Sequence, residues 1–132
     1  MDYEQSSPQD VKTYVTRELH RLGVPAHLKG FHYLRGAILM CIDDMILVTS
    51  VTKLVYPDVA KMFGTTGCKV ERAIRNAIEV SWPAGDQKRS RELFGYASSD
   101  GYNRPTNSEY IAGIADAVNI WRGKDSDMNF RG

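Results

Sequence analysis

Apolar side chains recur along this chain at spacings of three and four residues, the interval that gathers them on one face of an α-helix. Val11, Val15, Leu19 and Leu22 form the first such set. Ser7-Pro8-Gln9-Asp10 in front of it reads as a helix start: Ser7 can accept a backbone N–H, Pro8 suits the first helical position, and an acid follows. Gly23 closes that helix and Pro25 prevents its continuation. Phe31, Leu34, Ile38, Ile42 and Met45 define a second stripe, interrupted only loosely by Asp43-Asp44. The run at 46–51 is β-branched, but no second strand-like run with turn signals offers it a partner, so it is read as helix. Tyr56-Pro57-Asp58 begins a short helix ending at Gly64, since Pro57 cannot sit deep inside one. Thr65 and Thr66 cap a further helix with Val70, Ala73, Ile74, Ala77 and Ile78 on its buried face, closing near Trp82 before Pro83. Residues 84–103 predict a short helix and then an irregular loop. Thr106-Asn107-Ser108-Glu109 matches a capping box, followed by Ile111, Ile114, Val118 and Trp121 as far as Gly123.

The predicted fold is therefore all-α, a compact bundle of about six helices. Residues 8–122 form the domain, 1–7 a flexible N-terminal arm and 123–132 a polar tail. A chain of 132 residues with 42% hydrophobic and 25% charged residues fits one globular domain with its own core. The longest apolar run, 37–42, soon meets Asp43 and Asp44, far short of the ~18 residues of a membrane helix. The N-terminus lacks the basic start and apolar stretch of a signal peptide, and two well-separated cysteines make a poor disulfide framework, so a cytoplasmic protein is expected. Net charge is +1, which gives no whole-chain hint of nucleic acid or membrane. Locally, Lys61, Lys69, Arg72 and Arg75 stand against Glu71, whereas the first ten residues carry Asp2, Glu4 and Asp10. The basic excess lies mid-chain.

That excess coincides with a short helix, a glycine turn and a second helix. A helix-turn-helix needs a small residue where its helices cross, a residue tolerant of positive φ in the turn, and an apolar anchor on the second helix. Ala60, Gly64 and Val70 supply these at the required offsets. The outward face of the second helix carries Cys68, Lys69, Arg72, Arg75, Asn76 and Glu79. Arg72 can fork onto guanine and Asn76 can pair with adenine, while Glu71 can accept from cytosine or orient Arg75 one turn later. The competing reading is a solvated helix face with an ordinary Glu71–Arg75 ion pair. Beside a turn of this geometry the DNA reading is preferred.

Several segments carry a resemblance. Gly23-Val24-Pro25-Ala26-His27-Leu28-Lys29-Gly30, Tyr33-Leu34-Arg35, residues 50–61, the segment 70–79, Leu93-Phe94-Gly95-Tyr96 and residues 105–112 resemble the C-terminal effector domain of stage-zero sporulation protein A. The resemblance extends over roughly 11–118. It implies an all-helical effector domain that binds TGTCGAA-like boxes of double-stranded DNA as tandem dimers, activating or repressing transcription. It also implies that Lys69, Glu71, Arg72 and Arg75 lie in the recognition helix and that the loop around His27 and Lys29 lies near the DNA-facing side. With Thr65, Thr66, Cys68 and Asn76 these complete the expected DNA-binding set. Cys68, Lys69 and Asn76 stand where the family usually has serine, arginine and histidine. Residues 83–89 replace a differently composed segment near the family's contact with the RNA polymerase sigma factor. The family's phosphorylatable receiver cannot be placed in these residues, so the chain is expected to be an excised or naturally receiverless effector domain.

An enzyme would have to start from His20, His27, His32, Asp43 and Asp44, yet no histidine pair has i, i+4 placement with a third ligand nearby. Cys68 with a distant histidine is equally weak as a nucleophile, and Gly64 and Gly67 lack the ending of a phosphate loop. No catalytic residue, metal or cofactor is expected. A second alternative is an interaction module that dimerises with a full-length regulator and antagonises it. Tyr110, Ile114, Ala117 and Trp121 on the last helix are the expected dimer contacts, in competition with core packing.

Overall fold

A computed structural model describes residues 8–95 and 104–123, and every regular element among them is helical. Helix α1 spans Pro8–Arg21 and α2 spans Lys29–Asp43. A 3₁₀ turn at Met45–Thr49 and a π turn at Val51–Val55 lead into α3, Tyr56–Phe63. Then come α4 at Gly67–Ser81, α5 at Gln87–Phe94 and α6 at Asn107–Trp121. The six helices expected from apolar spacing are all present. The Ser7 cap, the two terminal segments and the loop at 96–103 lie outside the described residues.

Local chemistry explains most boundaries. Gly23 adopts φ 87°, and the Val24 N–H donates to the Leu19 carbonyl at 2.9 Å, ending α1 in a left-handed cap. In α6 the Thr106 side chain accepts from the Glu109 N–H while the Glu109 carboxylate accepts from the Thr106 N–H, the expected capping box.

The second stripe needs correction: α2 stops at Asp43, and Asp44 is extended at φ −146°, so Met45 is not on this helix. Two carboxylates at the negative end of a helix dipole oppose its continuation. Residues 46–51 are not a strand, but neither are they α-helix. They divide between the 3₁₀ and π turns at Ser50. Pro57 supplies the reason for the π turn, since it has no N–H and its ring clashes with the carbonyl four residues back. The wider turn relieves the clash, with the Tyr56 N–H reaching back to Val51.

Helix α2 runs through the centre. Phe31, Leu34, Ala37 and Ile38 meet Val15 and Leu19 of α1, Val70, Ile74 and Ala77 of α4, and Ile111, Ile114 and Val118 of α6 in one buried cluster. Each large side chain sealed there contributes roughly 1.5–3 kcal/mol. Cys41 lies in the same core, and burial pushes its thiol up to about 11. Glycine sets one closest approach: a Cβ on Gly30 would stand 2.2 Å from the Ala73 carbonyl, so α2 rests directly on the backbone of α4. Helix α5 is tied to α1 by ions. The Arg89 guanidinium donates to both Glu18 oxygens at 2.9 and 3.2 Å, and Arg21 pairs with Asp86 at 3.2 Å.

Candidate nucleic-acid interface

Helices α3 and α4 have the helix-turn-helix arrangement. Ala60 and Val70 are buried, and Gly64 between them is left-handed at φ 66°. Its N–H and that of Thr65 both donate to the Ala60 carbonyl, closing the turn. Thr66 then accepts from the Lys69 N–H at 3.2 Å, so its side chain starts α4. Thr65 is half-buried and Thr66 exposed.

Burying Val70, Ile74, Ala77 and Ile78 forces the opposite side of α4 into solvent. Cys68, Lys69, Arg72, Arg75, Asn76 and Glu79 are all exposed, the side expected from the spacing. Among the described residues neither Lys69 nor Arg72 has an ion-pair partner. Glu71 and Arg75 form a two-pronged pair at 2.6 and 3.0 Å. This is the i, i+4 ion pair that both the DNA reading and the solvated-face reading expect of Glu71 and Arg75.

Two grooves flank α4. One, of about 620 Å³, is lined by Lys29, His32, Tyr33, Phe63, Thr65 and Lys69. The contact of Gly30 with Ala73 brings Lys29 to this groove. Two lysines and the positive end of the α4 dipole thus meet on one side, an arrangement suited to phosphate. His27 is exposed in the α1–α2 connection and lies outside both grooves.

The other groove, of about 670 Å³, runs between α4 and the start of α6 and includes Tyr56, Glu71, Arg75, Arg104 and Asn107. Arg104 reaches Glu79 at 2.8 Å, which puts a further cation beside the outward face. Neither Arg104 nor Asn107 was singled out for this surface by local spacing. Asn107 was legible only as part of a capping box, and Arg104 carried no motif.

A family model described as Sporulation initiation factor Spo0A C terminal matches residues 15–118, well over half of the chain. The chain belongs to this family. It is accordingly a DNA-binding domain of the sporulation-regulator kind. In this Spo0A C-terminal domain the matched span begins within α1 and ends within α6, so it takes in both helices of the helix-turn-helix.

The expected dimer contacts of the Spo0A-type domain divide. Tyr110 and Ile114 are 1% and 0% exposed and belong to the core, with Tyr110 stacked on Phe94 at 4.9 Å. They are therefore corrected from dimer contacts to core residues, because side chains sealed against their own chain leave no surface for a second copy. Ala117 is half-buried, and Trp121 is partly covered by a stacked Tyr14 at 4.6 Å. Among the described residues no helix is long and apolar enough to cross a membrane, and no group of three or more His, Cys, Asp or Glu is placed to hold a metal.

Proposed function

We infer that this domain is a sequence-specific transcription regulator that reads TGTCGAA-like boxes by laying α4 in the major groove. The observation that carries this reading is Arg72, which has no ion-pair partner among the described residues and stands on an exposed polar face, held by a helix-turn-helix whose crossing and turn residues are all in place. A guanidinium without an ion-pair partner has its fork available for the O6 and N7 acceptors of guanine. Asn76, one turn further on, has the donor and acceptor that adenine requires. Lys69, Thr65, Thr66 and Lys29 surround the start of the helix and meet phosphates, while Arg75, steadied by Glu71, adds a directed cation. Cys68 is exposed at the same edge, and His27 is exposed in the connection that leads into Lys29.

Two copies on tandem boxes would meet through the exposed part of α6, where Ala117 and Trp121 remain accessible. In residues 83–89, near the position of the family's sigma-factor contact, Lys88 has no ion-pair partner among the described residues, whereas Arg89 is occupied by Glu18 and Glu92. Repression needs only occupancy of the box.

A fluorescence-anisotropy titration of box and scrambled duplexes across a salt series tests the reading. Each phosphate neutralised releases counterions, so affinity should fall steeply between low and physiological salt, with the box preferred throughout. Salt-insensitive binding, or equal affinity for both duplexes, would sink it.

A further inference from the structure

The flank of α4 that faces the start of α6 is held by polar bonds across an open groove of about 670 Å³. Asn107, the first residue of α6, makes the most directional of them. Its Nδ2 donates to the Tyr56 hydroxyl at 3.1 Å and to the Glu71 backbone carbonyl at 3.1 Å. The carbonyl can only accept, which fixes the amide with its nitrogen towards α4. The two N–H bonds of a planar amide diverge at a set angle, so one side chain triangulates α3, α4 and α6. Capping does not compete for it, because Thr106 and Glu109 perform that task.

The bond to Glu71 falls where a small movement matters. Glu71 holds Arg75 through its carboxylate and Arg72 is the next residue along the chain, so moving this turn of α4 moves both arginines. Bidentate recognition of a base edge tolerates little displacement, whereas phosphate attraction is diffuse. We propose that Asn107 is a positioning residue for base readout: without touching DNA, it sets the placement of the Glu71–Arg75 turn of α4 and thereby the preference for the correct box. This rests on the DNA reading above and adds the element that determines its specificity.

Asn119 provides a matched control. It lies towards the other end of α6 and donates its own Nδ2 to a backbone carbonyl, that of Ile42, at 3.3 Å, away from α4. Anisotropy titrations of box and scrambled duplexes should show the box-to-scrambled affinity ratio falling about five- to tenfold in Asn107→Ala, the range expected for one or two hydrogen bonds. The salt slope should stay unchanged. Asn119→Ala should lower the thermal midpoint and leave the ratio alone. Asn107→Asp keeps the shape and suits a helix start but turns an acceptor towards the Glu71 carbonyl, so it should lower the ratio at least as far. If Asn107→Ala does not fold, Asn107→Asp alone decides. An undiminished ratio in either folded Asn107 variant overturns the proposal, as does an equal fall in Asn119→Ala. An unaltered chain that does not distinguish the duplexes overturns the DNA reading itself.

Discussion

Arg72 and Arg75 are alike in charge and lie three residues apart on one helix, yet they are in different states. Arg75 is engaged by Glu71 on both prongs, while Arg72 has no ion-pair partner among the described residues. A pair half open to water, with side chains 50% and 34% exposed, adds little to stability; its effect is to aim a guanidinium. Removing Arg72 and removing Arg75 should therefore differ in kind. Arg72→Ala should weaken binding to the preferred box by roughly 1–3 kcal/mol and to a scrambled duplex by clearly less, as for loss of a base contact. Equal losses in paired titrations on both duplexes would make Arg72 a phosphate contact instead.

At the scale of elements, the placement of α4 depends on contacts made by its neighbours. Helix α2 can lie against α4 because Gly30 has no side chain, and this contact brings Lys29 alongside Lys69. Gly30→Ala should destabilise the domain by about 1–3 kcal/mol, since the added methyl meets backbone that cannot rotate away. Urea denaturation measures the loss. Binding at low denaturant should weaken on box and scrambled DNA alike, because the lysine groove is disturbed. A Gly30→Ala protein as stable as the parent would show that α2 and α4 separate at little cost.

For the molecule as a whole, α5 is a peripheral element that packs on α6 through Leu93 and Phe94 and is joined to α1 by ion pairs. Glu18 is a buried carboxylate of α1, and Arg89 supplies its partner from α5 while also reaching Glu92. Hydrogen bonding to Glu18 raises the Arg89 guanidinium above its ordinary range despite partial burial. Asp86 caps the same helix, and the Arg89 N–H together with Arg21 holds its carboxyl below the usual value. Arg89→Ala leaves Glu18 enclosed without its cation and should lower stability on the order of 2 kcal/mol, between the figures for exposed and fully buried pairs. Differential scanning calorimetry should show a lower midpoint, and hydrogen exchange should show α5 losing protection before α4. Unchanged protection of α5 would mean that Leu93 and Phe94 hold it without the ion pair.

Periodicity, caps and turn residues determined the six helices and the helix-turn-helix, because these depend on residues three or four apart. Ala60, Gly64, Val70 and the Thr66 cap could be read in that way, and so could the exposed side of α4. A helical stripe shows which face is apolar but not what covers it. Tyr110 and Ile114 were therefore open to a dimer or a core until folding sealed them against Phe94, α2 and their neighbours. The Asn107 bond to Glu71 spans 36 residues, and the Arg89 bond to Glu18 spans 71. Such pairs leave no local signal: a hydrogen bond requires atoms within about 3 Å, and only tertiary packing brings distant residues that close.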